Sequence, residues 1–195
     1  MHGSHKHEGD LIMSRSRMAV MSTILDNGHA PTSKLIVEVG ILKGGLGYLL
    51  RGMCDSGLIT RHKRWRRDES VYTLTEYGKD LYAAFDNVDK IYQKHMRKDA
   101  LDNSYLIMSH SRMVVMSTIL ENGQSTTSEL MAKLRIQKAG LSFLLRDMCD
   151  AGLMTRHQRY VGDVSTYILT EYGRELYAAF YKVGKLYKKH LRKES

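Results

Sequence analysis

Apolar residues recur at three- and four-residue steps from Leu11 to Asp26, and Met18, Met21, Ile24 and Leu25 share one face of the helix this predicts. Asn27-Gly28 should stop it, because glycine accepts the left-handed cap. A short second helix, about Ser33 to Val39, carries Leu35 and Ile36 and can be capped by Thr32 or Ser33. Gly40 permits a sharp turn. A third helix, about Leu42 to Asp55, turns Leu46, Leu49, Leu50 and Met53 inward and ends at Ser56-Gly57. The period then changes: "LITRHKRW" and "SVYTLT" read as two strands joined across "RRDE". Thr75 can cap a long last helix, about Glu76 to Lys98. Along it Leu81, Ala84, Val88, Ile91 and His95 form the seam expected of a short coiled coil, or a stripe packed on the helix's own domain.

The whole pattern then returns. Leu11 to Lys98 realigns without a gap on Leu106 to Lys193, at a constant shift of 95 positions, and well over half of the aligned residues are identical. The chain therefore divides into a polar tail at residues 1–10, a first repeat at 11–98, a linker at 99–105 and a second repeat at 106–195. In the second repeat the strands "LMTRHQRY" and "STYILT" meet across "VGDV", with turn chemistry at Gly162-Asp163, and the last helix carries Leu176, Ala179, Val183, Leu186 and His190. Two equal modules in one chain imitate a two-fold dimer, which suits a target with two similar halves. A last helix of about 24 residues would span roughly 35 Å. If the two last helices lie antiparallel, a linker as short as "DALDN" is enough.

Three helices followed by a hairpin is the order of a winged helix-turn-helix. The stretch "TSKLIVEVGILKGGLGYLLRGMCDSGLITR…YTLTEYGKDL" resembles the archaeal-type winged-helix regulators, and "FLLRDMCDAGLMTR…YILTEYGREL" resembles them equally. The likeness covers nearly all of both repeats. It implies a mainly α fold with small β-hairpins (α+β), in which two winged helix-turn-helix domains each carry a long C-terminal helix. That family includes dimers joined by antiparallel coiled coils, and this chain looks like such a dimer fused into one polypeptide.

Charge narrows the partner. The formal net charge is +9 and the isoelectric point about 9.5, which implies an anionic partner without naming it. No apolar run is long enough to cross a membrane and no signal-peptide pattern opens the chain, so a soluble protein of the cytoplasm, associated with the nucleoid, is expected. Cys54 and Cys149 hold the same position in each repeat, inside apolar helical stretches, and read as buried thiols. His2, His5 and His7 in the tail could bind a metal weakly or be a cloning remnant.

In a winged helix the third helix enters the major groove and the hairpin reaches a neighbouring groove or the backbone. The outward positions of the first third-helix are Leu42, Lys43, Gly44, Gly47, Tyr48 and Arg51; those of the second are Gln137, Lys138, Ala139, Ser142, Phe143 and Arg146. Lys43/Lys138 and Arg51/Arg146 coincide between repeats and are the first candidates for DNA contact, with Tyr48 and Ser142 beside them. The bland alternative is a solvated helix face. The first wing concentrates Arg61, Lys63, Arg64, Arg66 and Arg67 around Trp65, a composition suited to phosphate. The second wing keeps Arg156, Arg159 and Tyr160 but has Val161 and Gly162 where the first has Arg66 and Arg67, so unequal grips are expected. Backbone amides near Thr32-Ser33 and Thr127-Ser128 are secondary phosphate candidates.

No P-loop, HExxH, GxSxG or paired CxxC occurs, and neither His62/His157 nor His95/His190 has the neighbours a metal site demands. An enzyme is not expected, nor a cofactor. The expectation is a protein that binds double-stranded DNA as an intramolecular pseudo-dimer, most simply a transcriptional regulator. The rivals are a chromatin architectural protein, a protein-interaction scaffold built on tandem winged helices, and an RNA binder. Further association between chains is left open.

Overall fold

A computed structural model describes residues 11–63, 69–95, 105–158 and 164–192. The tail, the linker residues 99–104, and the candidate wing residues Arg64, Trp65, Arg66, Arg67, Arg159 and Tyr160 lie outside the described residues. The described chain is mainly helical with small antiparallel sheets.

The first repeat runs β1 (Leu11–Ser14), α1 (Arg15–Asn27), β2 (Ala30–Pro31), α2 (Thr32–Val39), α3 (Lys43–Asp55), β3 (Ile59–Lys63), β4 (Ser70–Leu74) and α4 (Glu76–His95). The second repeats it as β5 (Tyr105–Met108), α5 (His110–Asn122), β6 (Ser125–Thr126), α6 (Thr127–Leu134), α7 (Lys138–Asp150), β7 (Met154–His157), β8 (Thr166–Leu169) and α8 (Glu171–Leu191).

Two features depart from the periodicity. Leu11–Ser14 is a strand, so the first helix starts four residues later than predicted. Ser14 makes the boundary: its hydroxyl accepts from the Arg17 N–H at 3.3 Å, as Ser109 does from Arg112. The hairpin also gains a third strand. β2 pairs with β4 (Ala30 opposite Tyr72), giving the order β2-β4-β3, and β6-β8-β7 repeats it. Two-residue strands carry no readable alternation, and their pairing is decided by the fold around them.

α2 begins at Thr32 with Pro31 as its cap residue, and neither Thr32 nor Ser33 caps it. The Thr32 hydroxyl instead donates to the Ser70 carbonyl, and the Ser33 N–H donates to the Glu69 carboxylate at 2.8 Å. In the second repeat Thr126 and Glu129 complete a capping box. The turn after α2 shows a related contrast. Gly40 is left-handed at φ 66°, and its counterpart Arg135 takes φ 54° although it is not glycine.

The compact units do not follow the repeats in simple order. Among the described residues, one compact unit comprises 13–63, 69–89, 105–106 and 182–192; the other comprises 11–12, 90–95, 107–158 and 164–181. Each unit thus holds the body of one repeat and the end of the long helix of the other. The first unit's core is built from Val20, Met21 and Ile24 of α1, Leu46, Leu50 and Met53 of α3, and Leu81, Ala84, Phe85 and Val88 of α4. The second uses the equivalent residues, from Val115 to Phe180. Phe85 and Phe180 are fully buried, and the predicted seam omitted both. Leu25, expected on the inner face, is 44% exposed at the end of α1, and Leu49 is half-buried.

Candidate nucleic-acid interface

The first turn of α4 fixes where the hairpin and α3 sit. The Thr75 hydroxyl accepts from the Gly78 N–H at 2.9 Å, the predicted cap, and donates to the Gly57 carbonyl at 2.6 Å. The Thr75 N–H donates to the Leu58 carbonyl. This brings the helix so close to the chain that a Cβ on Gly78 would collide with the Leu58 carbonyl oxygen. Thr170, Gly173 and Leu153 repeat the arrangement. The shared L-T-E-Y-G stretch is therefore a clamp on the junction between the third helix and the hairpin: glycine is there for close approach and threonine for capping.

With that junction held, α3 buries Leu46, Leu50 and Met53 and presents Lys43, Gly44, Gly47, Tyr48 and Arg51 to solvent. α7 buries Leu141, Leu145 and Met148 and presents Lys138, Ala139, Ser142, Phe143 and Arg146. All the outward positions expected of the two helices are exposed. Lys43, Arg51 and Lys138 have no ion-pair partner among the described residues. Apolar surface accompanies the charge: Leu42 is 87% exposed, Tyr48 83% and Phe143 64%. The Arg146 guanidinium lies over the Phe143 ring, 5.5 Å from its centre.

The hairpin arginines are more engaged. Arg61 lies opposite Tyr72 on β4, and its Nε donates to the Ser70 hydroxyl at 2.7 Å; Arg156 and Ser165 repeat this at 2.8 Å. Arg156 also donates from Nη2 to the Gln158 side-chain oxygen. Burial pushes the Cys54 thiol up, Asp55 adds to the rise, and the Arg61 charge opposes it; Cys149, Asp150 and Arg156 do the same. Each arginine thus stands by the C-terminal end of the third helix, where a cation is favoured. Both remain exposed. Lys63 ends β3, opposite Ser70. His62 shares a hydrogen bond with Thr73 across the hairpin at 3.0 Å, which is a packing role.

The secondary phosphate candidates fare differently. The Ser33 amide is already taken by Glu69, and Glu129 occupies the start of α6 by bonding the Thr126 N–H at 2.7 Å. A carboxylate thus holds one of the named candidate amides, Ser33, and stands beside the other pair at the residue before Thr127. The Glu69 contact has no local signature, because its partners are 36 residues apart.

The ends of the long helices carry a second polar cluster within each unit. Lys94 and His95 bond the two oxygens of Glu175 at 2.7 and 2.9 Å, and the His95 ring stacks on Tyr172. The hydrogen bonds from Lys94 and His95 hold the Glu175 carboxyl below its ordinary value. In the other unit His190 stacks on Tyr77, with centres 3.8 Å apart. Arg112 pairs with Asp147, a contact the first repeat cannot make because Gly52 stands at the matching position. Among the described residues no group of three or more His, Cys, Asp and Glu is placed to hold a metal, and no helix is long and apolar enough to cross a membrane.

The second repeat is similar to a known family: the model for the HxlR-like helix-turn-helix matches residues 106–195. No curated protein matches the chain. Among solved structures, the chain is similar to BpsR of Bordetella bronchiseptica, described as a DNA-binding protein regulated by 6-hydroxynicotinic acid (13% identity, 60% of this chain and 84% of that one, TM-score 0.38). It is also similar to a MarR variant of E. coli complexed with operator DNA (17% identity, 60% and 80%, TM-score 0.38). A putative transcriptional regulator from Pseudomonas aeruginosa aligns at 24% identity over 58% and 72%, with a TM-score of 0.34. None of these structural likenesses is close enough to carry a function across.

Proposed function

We propose that this chain is a transcriptional regulator that binds double-stranded DNA, and that its two units engage one duplex as an intramolecular pseudo-dimer. The observation that carries the reading is the pair of solvent-facing third helices, each with a lysine in its first turn and an arginine two turns later: Lys43 and Arg51, Lys138 and Arg146. The family likeness of residues 106–195 supports a helix-turn-helix role for the second. The identical clamp at Gly78 and Gly173 supports the same role for the first.

In this reading each third helix enters a major groove. The cationic wing residues Lys63, Arg64, Arg66, Arg67 and Arg159 hold phosphate, with Trp65 and Tyr160 as further DNA contacts. Arg61 and Arg156, already bonded to serine, brace the hairpin and add field. The expected site is a pseudo-palindrome with unequal halves. The exposed rings of Tyr48 and Phe143, with Leu42, favour a second reading as a protein-interaction scaffold.

A binding assay at several salt concentrations, with random duplexes, single strands and RNA, tests the proposal. Duplex binding that weakens steeply with salt and exceeds binding to the other two is the expected result. Equal retention of all three, or of none, refutes it.

A further inference from the structure

The two reader faces share their cations but differ beneath the arginine. On α7 the Arg146 guanidinium rests on the Phe143 ring, 5.5 Å from its centre. On α3 the matching pair is Arg51 and Tyr48, and among the described residues no ring lies under Arg51. Tyr48 is 83% exposed, against 64% for Phe143. Asp150 stands one turn beyond Arg146, where an (i, i+4) ion pair could form, yet Arg146 lies over the ring.

That choice of partner has a chemical consequence. A carboxylate would occupy the in-plane N–H donors of the guanidinium. An aromatic face offers the guanidinium no carboxylate oxygen, so its donors are not taken up by an ion pair. The stack also restricts a long side chain before any ligand arrives, which lowers the entropy lost when it makes a bidentate contact. A pre-set guanidinium with a free edge on a groove-entering helix matches the O6 and N7 acceptors of guanine. An unrestrained arginine such as Arg51 satisfies a phosphate as readily as a base. Phe143 has no evident internal task, since it is exposed and outside the core.

We propose that Phe143 is a positioning residue that holds Arg146 to read a guanine, so that sequence discrimination is concentrated on the α7 face while α3 mainly grips. This rests on the DNA-binding reading above. The test uses the full chain and the duplex it selects from a random pool. Each G·C pair of that duplex is changed in turn, and affinity is measured for wild type, Arg146→Lys, Phe143→Leu, Phe143→Tyr and Arg51→Lys, with an unrelated duplex alongside.

Arg146→Lys should lose about 10- to 100-fold of discrimination at one G·C pair. Phe143→Leu should lose at least several-fold at that same pair, more than it loses on the unrelated duplex, whereas Phe143→Tyr, which keeps a ring, should retain the preference. Arg51→Lys should leave the preference intact. Discrimination that survives Phe143→Leu, or that falls equally in the leucine and tyrosine variants, overturns the proposal. A wild-type chain that binds every duplex alike overturns this inference alone; one that binds no duplex removes the DNA-binding reading as well.

Discussion

Glycine does opposite things at different places in this chain, and its surroundings decide which. At Gly78 and Gly173 a methyl group would meet a backbone carbonyl oxygen, which cannot swing away as a side chain could. Gly78→Ala should therefore lower stability by about 1–3 kcal/mol or more, measured by urea denaturation. Gly47, inside α3, has nothing within 4 Å of where a Cβ would stand. Gly47→Ala should raise stability by about 0.5–1 kcal/mol, the ordinary helix-interior difference. Arg135 completes the set: glycine in its left-handed position should relieve about 1 kcal/mol of strain, so Arg135→Gly is expected to raise the denaturation midpoint. A glycine count would treat all of these alike. The L-T-E-Y-G motif was legible as a mark of the fold, but its reason, a carbonyl about twenty residues upstream, became visible only when the chain was folded.

Helices α3 and α7 were readable as elements because a three- and four-residue stripe, a glycine stop and a period change bounded them. Their solvent faces followed from the same stripe. The short strands β2 and β6 were not readable, and neither was the strand start of each repeat, since pairing across the chain sets them. The capping of α4 was legible from Thr75, and Thr75→Val should cost about 1 kcal/mol by removing the acceptor for the Gly78 N–H. The cluster at the end of α4 had no local signature, because Lys94 and His95 meet Glu175 some 80 residues away. Its behaviour with pH has a definite sign. The folded Glu175 carboxyl is held below its ordinary value, so its pairing stabilises above the unfolded carboxyl pKa and is lost as pH falls through the folded one. The gap in urea midpoint between wild type and Glu175→Gln should be present at neutral pH and should close as the solution is acidified through the carboxylate range. A gap that stays constant there would show that the carboxylate's charge is not what matters.

On the scale of the molecule, duplication was the plainest message of the sequence, and the compact units carry it in a form the sequence did not announce. Each unit takes the end of the other repeat's long helix, so the repeats are not independent beads. Truncation after α7 or within α8 should therefore destabilise residues 13–89 as well as the second repeat, visible as added hydrogen exchange in α1 and α3. The chain's net charge of +9 and the exposed cations on both third helices are the properties from which the proposed function is drawn. The most direct test is the salt dependence of duplex binding in two matched variants, Lys43→Gln with Arg51→Gln and Lys138→Gln with Arg146→Gln. If both faces engage one DNA, each variant should flatten the slope of log affinity against log salt by up to about 1.8, and combining them should flatten it further. A slope that either variant leaves at the wild-type value would contradict joint engagement.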